Sequence, residues 1–219
     1  MVAGLSLLAM SVLAGFGNFV AVEGLVTPGD AGKTADDILA ADGTFRLGVL
    51  ALYLVVVLDV VVAWALMLVF DPVSRSLSRL AAWFRLAYSA VFLVAISQLA
   101  GIPDLLGGGS SAFTAEQVEA QALLKVDAFN DIWFAGLVLF GAHLVLIGYL
   151  AFQSGYVPRL LGVLLVVAGL GYAFDSAGRV LSESPLEVST VTFVGEFLLC
   201  LWLLIRGRRL SVGTDDHAI

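Results

Sequence analysis

The sequence predicts an all-α polytopic membrane protein. It would be a six-transmembrane-helix bundle with both termini in the cytoplasm and short amphipathic helices in the outer loops. Three observations predict it. Hydrophobic residues make up 60% of the 219, and the mean hydropathy is +1.01, more apolar surface than a water-soluble core of this size uses. Six stretches, about 3–26, 46–70, 80–102, 131–152, 159–180 and 190–206, approach or exceed the roughly 20 helical residues that cross a hydrocarbon core of about 30 Å. Arginine gathers in one alternate set of connections and acids in the other.

The first stretch lacks a basic lead and runs on into further apolar sequence, so it reads as a retained helix rather than a cleaved signal. TPGDAGKTADDILAADG (27–43) reads as a turn followed by a short amphipathic helix capped by Thr34 and ended at Gly43. The 71–79 and 153–158 connections are tight, so helix pairs two–three and four–five are expected as antiparallel neighbours. The excursion 102–131 holds a flexible GGGSS and a capping box, Thr114 with Gln117, that starts a short surface helix. Residues 1–209 then form one membrane domain and 210–219 an acidic cytoplasmic tail. The first three spans do not map onto the last three, so an inverted repeat is not expected.

Orientation follows from the positive-inside rule. Arg75, Arg79, Arg159, Arg206, Arg208 and Arg209 mark the cytoplasmic side. Lys33 and Lys125 lie on the other side amid Asp30, Asp36, Asp37, Asp42, Asp104, Glu116, Glu119, Asp127, Asp131, Glu183 and Glu187. Nine Arg against two Lys, with many acids, is a composition seen in salt-loving prokaryotes, and a GC-rich genome gives the same bias. The net charge of −7 disfavours a nucleic-acid partner. The lipid bilayer is the expected partner.

An ionisable group at mid-bilayer costs about 2.5–3.5 kcal/mol on insertion scales, so each one demands a partner or a protonated state. Asp59, Arg85, His143, Asp175 and Glu196 fall inside the expected spans, and Arg46 stands at the outer mouth of the second. Asp59 interrupts LVVVLDVVVAWAL thirteen residues after Arg46, about 20 Å along a helix. His143 reaches a similar depth, so an Asp59–His143 pair could bind a proton. Its face also carries Gly136, which suggests a close helix contact. Arg46 and Arg179 are expected to neutralise Asp175 and Glu196, and Asp175 and Arg179 have salt-bridge spacing. Arg85, one turn inside the expected third span, reads as snorkelling to the surface. The binding candidates are therefore Arg46, Asp59, His143, Asp175 and Glu196. Each also has a structural reading, in which it only bonds one helix to another.

Other chemistry is excluded by composition. Neither lysine lies in a span, so a retinal Schiff base is excluded, and one intramembrane histidine cannot ligate a bis-histidine haem. The single cysteine, Cys200, rules out a disulfide framework. Ser89 and Ser97 lack a G-x-S-x-G elbow, and no phosphate-binding glycine loop occurs. No cofactor and no metal is expected.

FRLGVL (45–50), SGYVPRLLGVLLVVAGLGYAFDS (154–176) and GEFLLCLWLLIRG (195–207), with the LDV around Asp59 and GAHLVLIGYL around His143, carry a resemblance over nearly the whole chain. The chain resembles the prokaryotic six-pass proteins of domain-of-unknown-function family 4386. SGYVPRLLG is its most specific part: a glycine turn, Pro158 starting the fifth helix and Arg159 at the surface. The resemblance implies six spans and a cytoplasmic membrane, and supplies no activity.

The leading expectation is a non-enzymatic membrane protein that binds or conducts a small solute, ion or proton through an outward-opening polar cavity. One alternative is an intramembrane lipid-modifying enzyme using Asp59 and His143 as an acid–base pair. Another is a structural or immunity-type partner without a ligand. Gly141 and Gly148, like Gly162 and Gly169, are seven apart and suit close packing, within the chain or in a homo-oligomer.

Overall fold

The computed structural model describes residues 1–108, 112–181, 188 and 194–207. All regular structure among them is helical: α1 (Val2–Gly15), α2 (Ala31–Ala40), α3 (Asp42–Phe70), α4 (Arg75–Ala100), α5 (Ile102–Leu106), α6 (Ala115–Gln153), α7 (Arg159–Leu181) and α8 (Val194–Arg206). A π-helical turn, Phe16–Val20, and a 3₁₀ turn, Glu23–Leu25, extend α1. Among the described residues, five segments are long and apolar enough to cross a membrane: Val2–Leu25, Asp42–Phe70, Arg75–Leu106, Ala115–Gln153 and Arg159–Leu181. Of the stretch expected as a sixth span, α8 is described, with 13 residues that rise about 20 Å; it is not among those five, and residues 190–193 of that expectation lie outside the described residues. So do Arg208, Arg209, Glu183, Glu187, the 210–219 tail and most of GGGSS.

The chain divides into two compact units. One comprises Met1–Leu8, Val60–Leu86 and Leu137–Ile219. Its central device is a glycine seam between α6 and α7. A Cβ added at Gly141 would lie 2.5 Å from the Gly169 carbonyl oxygen, and one at Gly148 would lie 2.6 Å from that of Gly162. These four glycines are therefore used within the chain, where they bring two backbones into direct contact. Gly195 does the same for α8 against Leu164 of α7, and Gly4 for α1 against the backbone of Leu203 and Leu204 in α8.

Two hydroxyls in that unit reach the C-terminal carbonyls of α3. Ser78 Oγ donates to Met67 O at 2.6 Å, and Tyr156 Oη donates to Val69 O at 2.6 Å while its ring stacks on Phe70. The SGYVPRLLG segment thus has a defined task. Gly155 takes φ +71 to make the turn, Tyr156 reaches α3, and Pro158 directly precedes α7.

The other unit comprises Ala9–Asp59 and Ala87–Gly136. Gly17 and Gly48 bring the π-helical turn against α3, with Leu52 and Ala21 filling the contact. In the same turn, Asn18 donates to Glu23 at 2.9 Å. The cap of α2 corrects the expectation of Thr34. Gly29, at φ +76, turns the chain so that Asp30 is the N-cap and accepts from the Lys33 amide at 2.9 Å. Thr34 lies inside the helix, fully buried, with its hydroxyl turned back to the Thr27 backbone. The helix ends at Ala40, not Gly43, and the next one starts at Asp42.

Thr114 and Gln117 do form the reciprocal capping box. The helix it starts is no short surface piece, however: α6 continues unbroken for 39 residues. No proline or glycine interrupts 115–135, so nothing in the chain stops it. Within this unit Tyr88, Phe92, Phe129 and Trp133 form one aromatic cluster, in which Trp133 Nε1 donates to Tyr88 Oη at 3.0 Å. Gly136 packs on Tyr88 and Val91, the close helix contact expected on its face.

Candidate functional site

Two buried polar centres stand out, one in each unit. The first joins α4 to α6. Arg85 is ten residues from the start of α4, and His143 is ten from the end of α6, each about 15 Å from its helix end. His143 is 0% exposed and Arg85 3%. Arg85 Nη1 lies 3.2 Å from His143 Nε2, and His143 Nδ1 lies 2.9 Å from the Ala81 carbonyl oxygen. A carbonyl only accepts and a guanidinium only donates. Nδ1 therefore carries the hydrogen, and Nε2 offers its lone pair to Arg85. Phe140, one turn earlier on α6, stacks on the imidazole and lies under the guanidinium carbon at 5.2 Å, a cation–π contact. Tyr172 of α7 meets Phe140 edge-on.

This corrects the snorkelling expectation for Arg85. That reading started the third span at residue 80, whereas α4 begins at Arg75, so the guanidinium is a further turn deeper than it looked. The stripe was visible in sequence: Ser78, Ala81, Ala82, Arg85, Ser89 and Phe92 recur at helical spacing and are all buried. It was also a stripe of small and polar residues, unlike the opposite face with Leu80, Trp83 and Val94. Both ring nitrogens of His143 are engaged within its own unit, by Ala81 and Arg85.

The second centre joins α3 to α4. Asp59 is 1% exposed and Ser89 3%, and Ser89 Oγ donates to Asp59 Oδ2 at 3.0 Å. Asp59 stands seventeen residues from the start of α3 and eleven from its end, so it lies well inside any span that the helix forms. It belongs to the buried stripe of α3 with Phe45, Leu52, Val55, Val62 and Leu66, while Leu47, Leu50, Leu54, Val57 and Trp64 are exposed.

The remaining candidates are placed elsewhere. Arg46 is half exposed and held by Asp42 at 2.9 Å and Asp104 at 3.6 Å. Asp42 is one helical turn away on the same face. Asp175 is buried and accepts from the Val188 amide at 2.8 Å. Glu196 occupies the first turn of α8, where a negative charge complements the helix dipole. Among the described residues, no group of three or more His, Cys, Asp or Glu stands close enough to hold a metal ion.

Fold and site define a class: among the described residues the regular structure is all helical, five helices are long and apolar enough to cross a membrane, and ionisable side chains are buried along them. The chain belongs to the family described as domain of unknown function DUF4386, which matches it over residues 2–207. It is 36% identical over 163 residues to an uncharacterized protein of Archaeoglobus fulgidus, covering 74% of this chain and 85% of that protein. No solved structure matches.

Proposed function

We propose that the protein is a six-span, single-domain protein of a prokaryotic cytoplasmic membrane, with both termini inside, and that it handles a proton through its buried polar centres rather than catalysing a reaction. Arg75, Arg79, Arg159 and Arg206 on one set of helix ends support the orientation. The observation that carries the function is Asp59, sealed inside α3 with the Ser89 hydroxyl on its carboxylate. A carboxyl group in that position is a functional-site hypothesis by default. Its enclosure narrows the ligand: a proton is the one cargo that needs no open cavity. Purified protein in vesicles with a trapped pH dye tests this under an imposed proton gradient. Wild type is expected to change the rate of pH equilibration and Asp59→Asn to abolish the change; equal rates in the two would remove the proposal.

A second reading has its own observation. His143 bonds to both Ala81 and Arg85 with no exposure, which is how a residue fixing helix register behaves. On that reading the Arg85–His143 centre is a clamp between α4 and α6. The same saturation speaks against His143 as the base of a lipid-modifying enzyme, because its lone pair is already committed.

A further inference from the structure

An apolar cavity of about 220 Å³ opens among α1, α3 and α8. Its walls include Val2 and Ala3 of α1, Trp64, Ala65 and Leu68 of α3, and Leu203 of α8. Trp64 is 54% exposed and forms an outer wall, whereas Ala3, Ala65 and Leu203 are buried. Trp64 stands six residues before the end of α3, so the cavity reaches about 9 Å inward from that helix end. The lining carries no charged side chain and is mostly apolar. Hydrocarbon would recover the dispersion contacts that an empty space forfeits.

The end of α8 supplies a second, independent feature. Arg206 follows Leu203 by three residues, so the two share a helix face, and Gly207 also borders the cavity. Arg206 is exposed and forms no ion pair among the described residues. Its guanidinium is a fork suited to phosphate oxygens. An apolar slot bordered by Gly207, with the exposed Arg206 next to it in the chain, matches a two-part ligand.

We infer that this cavity holds a hydrocarbon chain of an anionic membrane phospholipid, with the lipid phosphate at Arg206. The inference rests on the reading of these helices as membrane spans, but not on proton handling. Purified protein in neutral detergent is mixed with phosphatidylglycerol, phosphatidylcholine or glycerol phosphate, and retained adducts are counted by native mass spectrometry. One phosphatidylglycerol is expected to be retained, phosphatidylcholine less, and glycerol phosphate not at all. Ala65→Phe, which fills the slot, should lower retention of both lipids about tenfold, the order expected when a few buried methylenes are displaced. Arg206→Gln should erase the preference for phosphatidylglycerol and leave chain binding. Undiminished retention in a folded Ala65→Phe protein overturns the site; Ala3→Leu, on another wall, decides the matter where Ala65→Phe does not fold. An unchanged preference in Arg206→Gln overturns the phosphate assignment. Failure of the wild type to float with phosphatidylcholine vesicles would instead strike the membrane reading, so the two failures are separable.

Discussion

Gly148→Ala is the substitution whose cost can be worked most directly from the packing. The added Cβ would sit 2.6 Å from the Gly162 carbonyl oxygen and 2.8 Å from the Val166 amide nitrogen. Both are backbone atoms of α7, so neither can rotate away, and the two helices must part by about 1 Å to restore ordinary contact. Overpacking of this kind costs about 1–3 kcal/mol, partly offset by about 1 kcal/mol from the better helix propensity of alanine. The net expectation is a loss of up to about 2 kcal/mol. Gly43→Ala is the control, because a Cβ there meets nothing within 4 Å, so only the propensity gain of up to about 1 kcal/mol remains. Thermal unfolding in detergent should show Gly148→Ala melting below wild type and Gly43→Ala at or above it. Equal melting of the two variants would refute the reasoning. So would a change in oligomeric state without loss of monomer stability, which would place the seam between chains.

Three further predictions follow from single contacts. His143→Ala removes one partner of Arg85 and the donor to the Ala81 carbonyl, and should cost about 1–3 kcal/mol as buried polar groups lose hydrogen bonds; a depressed melting temperature would show it, and Arg46→Gln, at an exposed pair, should stay within about 1 kcal/mol of wild type. Tyr156→Phe keeps the stacking on Phe70 but loses the bond to Val69, for about 1 kcal/mol. Burial pushes the Tyr156 phenol up to about 12, above its unfolded value of about 10. Its contribution is therefore complete below about pH 10 and is lost as pH rises toward 12, a component that alkaline melting curves of Tyr156→Phe should lack. Asp30→Ala should destabilise α2 by about 1 kcal/mol through loss of its cap, read as faster amide exchange at Lys33.

The helices were legible because length and hydropathy decide them, and α7 and the end of α3 fall close to where the sequence put them. Boundaries failed where local chemistry competes. Thr34 and Asp30 both qualify as caps, and only the turn at Gly29 selects Asp30. Nothing in 115–135 tells a surface helix from the first turns of a span, so the continuity of α6 was hidden. The site was harder for a physical reason. In α3 both the buried and the exposed stripes are Val and Leu, so hydrophobic periodicity cannot say which face Asp59 shares. In α4 the small-residue stripe did carry that information for Arg85, but the starting point of the helix masked its depth. Partners such as Ala81 O for His143 are backbone atoms, and sequence does not display them.

The central claim is that a carboxyl group buried in α3 changes its protonation during function. Infrared difference spectroscopy of the protein in vesicles, between acidic and alkaline buffer, reads protonated carboxyl groups directly. The account predicts a carboxyl band that responds to pH in the wild type and is missing from Asp59→Asn, with Ser89→Ala shifting its position. Identical difference spectra for wild type and Asp59→Asn would contradict it and leave Asp59 as a fixed element of helix packing.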